Sequence, residues 1–202
     1  GSHRRRLSQG GRERQLFLMN IFISGGCKNG KSYYAQKLAR DMAAKAGLPL
    51  YYLATMIPKD GEDRARIKRH LSERDGWGFD TIEQGTDICK CLSGGKTLSG
   101  KAVDSRGVFL LDSVTALLSN EMFLSDGTFV PDAPAKVAGD LTRFCRLTGN
   151  TVFVSDYIYS DASPYDELTE SYRRGLAFID RTLAGICGQV TEVSFGFVQN
   201  YK

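Results

Sequence analysis

Apolar residues along this chain gather in short runs, and the stretches between them carry helical spacing. Met19–Ser24 (MNIFIS) reads as a buried strand that ends directly on glycines. Ser32–Ala46 reads as a helix, closed by Gly47 and Pro49. Leu50–Ala54 (LYYLA) is a second strand. Glu62–Arg74 is a charged helix with Ile67 and Leu71 four apart on one face. Ser93–Arg106, rich in Gly, Lys and Ser, reads as a flexible loop, and Gly107–Leu111 (GVFLL) as a third strand. A helix over Val114–Phe123, a loop over Ser125–Pro134 and a helix over Ala135–Leu147 follow. Thr151–Ser155 (TVFVS) is a strand, Glu167–Cys187 a long helix and Gln189–Phe195 a last strand. Strands separated by helices of this length predict an α/β fold: one mostly parallel sheet with helices on both faces. Right-handed crossovers then bring the strands' C-terminal ends to one edge, where α/β proteins hold ligands.

The 202 residues fit one domain, and 42% hydrophobic with 25% charged residues is an ordinary globular balance. Apolar runs such as Val108–Leu111 are far shorter than the roughly 18–20 residues that span a bilayer. The net charge of +4 resides wholly in residues 1–18, where Arg4, Arg5, Arg6, Arg12 and Arg14 face Glu13 alone. From Met19 onward the chain is neutral, which argues against a broad nucleic-acid face. Gly1-Ser2-His3 reads as the scar of a cleaved tag, and residues 1–18 as a disordered basic leader before a domain at 19–202. Five cysteines without C-x-x-C spacing, and His70 as the one histidine outside the scar, give no His/Cys metal pattern. Reduced thiols in a cytoplasmic protein are the expectation.

Gly25-Gly26-Cys27-Lys28-Asn29-Gly30-Lys31-Ser32 matches G-x-x-x-x-G-K-[ST] in full, with a strand before it and a helix after. Glycines let several backbone N–H groups face one phosphate, and the following helix presents its positive end to the same anion. Lys31 is placed to reach the terminal phosphates, and the Ser32 hydroxyl to bind Mg²⁺. Val108-Phe109-Leu110-Leu111-Asp112 sets a carboxylate at a strand's C-terminal end, the place of a metal-holding acid. A helix-capping role for Asp112 is the competing reading. Ser93-Gly94-Gly95-Lys96-Thr97 lacks the first glycine and the strand of a second phosphate loop.

His70 lies three residues after Ile67, at the edge of the helix's apolar face, where a half-packed boundary histidine is the ordinary reading. Arg64, Arg66, Lys68, Arg69 and Arg74 surround it. Such neighbours welcome an anionic ligand and disfavour the imidazolium, which keeps the ring nucleophilic.

From about Asn20 to the C-terminus these segments together resemble the bacterial adenosylcobinamide kinase/adenosylcobinamide-phosphate guanylyltransferase family. The phosphate loop ISGGCKNGKS resembles the family's, as do Tyr52-Leu53-Ala54-Thr55 and Leu110-Leu111-Asp112 with Ser119-Asn120 further on. Ala65-Arg66-Ile67-Lys68-Arg69-His70, Arg74 and Thr81-Ile82-Glu83 match in order. The resemblance implies a compact RecA-like domain, a homotrimer and two reactions. An NTP γ-phosphate passes to the aminopropanol hydroxyl of adenosylcobinamide. Separately, His70 attacks the α-phosphate of GTP, expels pyrophosphate and hands GMP to adenosylcobinamide phosphate. GTP and ATP are the implied substrates and Mg²⁺ the implied cofactor. Arg66 and Arg74 are the candidate triphosphate clamps, with pairing to Glu62, Glu73 or Asp63 as the alternative. Glu83 and Asp112 are the candidate readers of the guanine edge.

The family's Asn-Glu-Val-Gly-x-Gly is replaced by Asp156-Tyr157-Ile158-Tyr159-Ser160-Asp161, and its Arg-Pro becomes Arg74-Asp75. Asp156 and Asp161 are candidate substitutes for the missing acid, beside a plain surface-loop role. Two further readings stay open. One is a P-loop kinase of another small alcohol with no covalent intermediate, and the other a nucleotide-dependent binding protein.

Overall fold

The computed structural model describes residues 19–26, 30–156 and 166–202. The leader at 1–18, the loop residues Cys27, Lys28 and Asn29, and the departure at Tyr157–Asp161 lie outside the described residues.

Seven strands form one sheet: β1 (Ile21–Gly25), β2 (Leu50–Ala54), β3 (Asp80–Glu83), β4 (Val108–Asp112), β5 (Thr151–Asp156), β6 (Gln189–Ser194) and β7 (Phe197–Asn200). Their order across the sheet is β3-β2-β4-β5-β1-β6-β7. Every pairing is parallel except β6 with β7, a terminal hairpin. The helices are α1 (Lys31–Ala46), α2 (Gly61–Glu73), α3 (Val114–Met122), α4 (Ala133–Thr148) and α5 (Glu167–Ile186). The glycine-loop strand β1 and the Asp112 strand β4 are separated by one strand, β5, in keeping with the RecA-like expectation.

Alternation along each strand sorts the core into two layers. Phe22, Tyr51, Leu53, Phe109, Leu111 and Phe153 pack under α3, α4 and α5. Ile21, Ile23, Leu50, Tyr52, Leu110 and Val154 pack under Ala35, Ala39 and Met42 of α1. Strands buried on both faces read as continuous apolar runs, which is why β1, β4 and β5 are visible in the sequence. Helix α2 differs from the rest. It buries no residue, and its Ile67 and Leu71 are only half-covered. Its charged composition leaves no apolar stripe wide enough to anchor it to the sheet.

Three elements are absent from the sequence reading. Strand β3 (DTIE) buries only Ile82, and β7 is exposed at every residue. The segment Ile88–Leu92 forms a 3₁₀ turn that buries Ile88 and Cys91. The stretch expected to be a flexible loop at 93–106 is pinned: Thr97 N–H donates to Lys101 O at 2.8 Å and Leu98 N–H to Thr81 O at 2.8 Å. Cys89, Cys91, Cys145 and Cys187 are free thiols. No helix among the described residues is long and apolar enough to cross a membrane.

Candidate active site

The C-terminal ends of β1, β5 and β4 meet at one edge of the sheet. Gly25 pairs with Asp156 and Asp112 with Val154, so the two carboxylates stand at the ends of adjoining strands. Gly30 takes φ +85°, a left-handed conformation that suits glycine, and opens α1. Lys31 is the first residue of α1 and is buried. Its Nζ donates to Gly25 O at 3.0 Å, to Gly26 O at 3.4 Å and to Asp156 Oδ1. Ser32 lies exposed in the first turn.

Asp112 ends β4, and Ser113, not Asp112, caps α3: Ala116 N–H donates to Ser113 Oγ at 3.1 Å. The capping duty is thus taken, and the Asp112 carboxylate accepts from the Tyr52 hydroxyl. Desolvation raises the Asp112 carboxyl above its ordinary range, and the charge of Asp156 adds to this. The Tyr52 hydrogen bond and the charges of His70 and Lys31 pull it back. Burial, and then the neighbouring Asp112, hold the Tyr52 phenol well above its ordinary value.

His70 is in the last turn of α2, with 41% of its side chain exposed. Its Nδ1 stands 3.4 Å from Glu73 Oε2, so the expected ring of basic neighbours is joined by an acid. One residue past α2, Arg74 is only 6% exposed. Its guanidinium lies over the Tyr52 ring, 3.3 Å from the centroid, and burial lowers its pKa. Its Nε and Nη1 have no hydrogen-bond partner among the described residues.

Arg66, the other candidate clamp, is exposed and stands 4.0 Å from Asp63. Glu83 is exposed at the end of β3. Four strand spacings separate β3 from β1, roughly 19 Å, whereas Asp112 stands two spacings from the loop. Leu71, Arg74, Asp75, Gly76, Gly78, Phe79 and Thr81 line a cleft of about 450 Å³ just beyond the His70 turn. Trp77 fastens this connection to α1 by packing on Tyr33 and under the Arg40 guanidinium, 4.3 Å from its ring.

Sequence reasoning did not select Tyr52 as a site residue, although it joins Asp112 to Arg74. The signal was a tyrosine in the middle of the apolar run of β2, where an aliphatic residue also fits. Thr55 and Asn120, quoted as motif residues, act as struts. Thr55 Oγ1 accepts from Ser113 N–H at 2.8 Å, and Asn120 Nδ2 donates to Thr55 O at 2.7 Å and Gly85 O at 2.9 Å.

The donor set suits a hard divalent cation. The Ser32 hydroxyl and the Asp112 and Asp156 carboxylates are oxygen ligands at one sheet edge. Among the described residues no three His, Cys, Asp or Glu side chains form a closed metal cage.

The family model for cobinamide kinase / cobinamide phosphate guanyltransferase matches residues 21–200 of this chain. A bifunctional adenosylcobalamin biosynthesis protein of Pseudomonas aeruginosa, CobP, is 29% identical over 177 residues, covering 86% of this chain and 91% of the relative. The protein of that description from Escherichia coli, CobU, is 24% identical over 189 residues, covering 88% and 97%. Among solved structures, the KaiC-like protein PH0186 of Pyrococcus horikoshii superposes with a TM-score of 0.43 at 13% identity, over 87% of this chain and 71% of that one. The flagellar accessory protein FlaH of Methanocaldococcus jannaschii gives 0.42 at 18% identity, over 90% and 75%.

Proposed function

The chain belongs to the cobinamide kinase / cobinamide phosphate guanyltransferase family and carries that family's two activities, and we propose how its residues divide the work. Lys31 and the glycine loop hold the β- and γ-phosphates of the nucleotide. In the kinase step the aminopropanol hydroxyl of adenosylcobinamide releases its proton to water as its oxygen bonds to the γ-phosphorus. The bond from that phosphorus to the β-phosphate oxygen breaks, and the nucleoside diphosphate leaves. In the transferase step His70 Nε2 attacks the α-phosphorus of GTP and pyrophosphate leaves. The phosphate of adenosylcobinamide phosphate then displaces His70 from the bound GMP, which restores the imidazole. Mg²⁺ held by Ser32 and Asp112 would neutralise charge on the phosphates.

Arg74 is the better candidate clamp of the two, because its buried Nε and Nη1 have no hydrogen-bond partner among the described residues while Arg66 is exposed beside Asp63. With Asp112 given to Mg²⁺ beside the phosphates, Glu83, exposed at the end of β3 and away from the loop strand, is the candidate for the guanine edge. The single observation that carries this division is at Asp112. It accepts from the Tyr52 hydroxyl, and the Arg74 guanidinium, one residue past α2, lies on the Tyr52 ring, which supports a shared site for the end of the histidine helix and the strand ends beside the phosphate loop. A homotrimer is the assembly we assign. The exposed Phe195 and Phe197 of the terminal hairpin, 90% and 79% accessible, support a further contact surface, and light scattering on the eluted protein tests it. Free thiols and a biosynthetic role favour the cytoplasm.

The test is the intact mass of the protein after incubation with Mg²⁺ and GTP. An acid-labile gain of one guanylyl group, absent in His70→Ala, is expected. A gain that survives in His70→Ala removes His70 from the nucleophile's role. GTP binding without any gain favours a plain kinase or a nucleotide-dependent binding protein.

A further inference from the structure

Asp156 is a residue whose work the two reactions above do not use. It ends β5 in the gap between the glycine-loop strand and the Asp112 strand. Its backbone N–H donates to Thr115 Oγ1 at 2.9 Å, which ties the strand end to the start of α3. Its carboxylate accepts from Lys31 Nζ, the group that the phosphate loop exists to offer to a nucleotide. An ammonium has three protons. The carbonyls of Gly25 and Gly26 and the Asp156 carboxylate already give Lys31 three acceptors. A phosphate oxygen gains this lysine only if an acceptor leaves. The carbonyls belong to β1 and the loop backbone, whereas the carboxylate sits on a side chain that can rotate. Of the three, it is the acceptor that carries a full negative charge and so repels the incoming phosphates.

We propose that Asp156 is an internal anion that competes with the nucleotide for Lys31, and that a divalent cation relieves the competition by taking up the carboxylate. The proposal rests on the nucleotide reading of the loop given above. A second observation supports the relief. Asp156 ends β5 two residues beyond Val154, the partner of Asp112 at the end of β4, so one cation between the two strand ends removes both repulsions. Asp156 thereby makes nucleotide binding conditional on the metal and keeps Lys31 ordered when no nucleotide is present. It is a positioning residue for the known reactions and makes no bond to the transferred group.

The test is calorimetric titration of the full chain with GDP, in EDTA and in excess Mg²⁺. GDP offers a β-phosphate to Lys31 but has neither a γ-phosphate nor a pyrophosphate leaving group. Asp156→Asn keeps the shape and an acceptor oxygen while removing the charge, and Asp156→Ala is the second variant. In EDTA both variants are expected to bind GDP at least about tenfold more tightly than the wild type, since a charge-assisted competitor has gone. The ratio of Mg²⁺ affinity to EDTA affinity then shrinks by a similar factor. Unchanged EDTA affinity and an unchanged ratio in both variants overturn the competition and leave the nucleotide reading standing. Failure of the wild type to bind GDP in either medium overturns the nucleotide reading and the competition with it.

Discussion

At the scale of single residues the site is governed by the desolvation of Asp112. Burial raises its carboxyl above the usual carboxylate range, and the Tyr52 hydroxyl offsets only part of that. A carboxyl whose folded pKa is raised holds its proton more tightly folded than unfolded. Its favourable contribution is complete below the unfolded value, about 4, and is lost as pH rises through the raised folded value. At neutral pH the raised pKa therefore lowers the stability of the folded protein. Asp112→Asn keeps the shape and an acceptor for Tyr52. We expect it to melt above the wild type at pH 7, by about 2–4 °C for each kcal/mol relieved, with the gap closing toward about pH 4. Thermal scans across that range, beside loss of transfer activity, check both halves. A gap independent of pH would mean that the ionisation of Asp112 is not its source. The sequence marked Asp112 because four apolar residues before an acid announce a strand end. It could not mark the Arg74–Tyr52–Asp112 stack, whose members are brought together only by strand pairing and by the turn after α2.

Among elements, a tight constraint lies where α4 and α5 cross on the face opposite α1. Gly175 in α5 is buried, and a Cβ there would stand 2.6 Å from Pro134 Cγ and 3.4 Å from Met122 Cε. Proline cannot yield by turning a flexible side chain, so the helices must part. Gly175→Ala is expected to lose about 1–3 kcal/mol in denaturant unfolding, the usual cost of overpacking, despite alanine's better helix propensity. Guanylylation per folded molecule should be unchanged, because the sheet stands between this crossing and α1. A variant as stable as the wild type would show that the crossing has slack. The long elements were legible for the reason that makes them stable: doubly buried strands are continuous apolar runs, and α4 and α5 carry apolar faces. Helix α4 begins earlier than its periodicity suggests, at Ala133, since Pro134 fits a first turn that needs no N–H donor. The elements that escaped notice bury little. Ile82 alone anchors β3, and β7 exists by pairing with β6. Nothing in a pattern of burial can announce a strand that is not buried.

For the whole molecule the consequence is two chemistries on one sheet edge, with unequal support beneath them. The phosphate loop rises from β1, which is paired on both sides and packed under α1. His70 rides on α2, which buries none of its residues and joins the body through the Arg74 stack and the Trp77 contact that follow it. The nucleotide's phosphates are common to both reactions, but the histidine is needed only when the α-phosphate is the target. Removing His70 therefore deletes one reaction and spares the other, whereas removing the lysine harms both. His70→Ala should form no guanylyl adduct yet phosphorylate adenosylcobinamide at a rate of the wild-type order. Lys31→Ala should slow both steps by roughly 10²–10³, the usual loss when a charge-stabilising group is taken from a transition state. In the transferase step the charge lost from Lys31's care is that of the departing pyrophosphate, and in the kinase step that of the departing diphosphate. Separate assays of adduct formation from GTP and phosphate transfer to adenosylcobinamide decide this. Loss of the kinase step in His70→Ala would mean that α2 is a working part of both sites. A Lys31→Ala protein that still guanylylates at full rate would place the transferred GTP somewhere other than the phosphate loop.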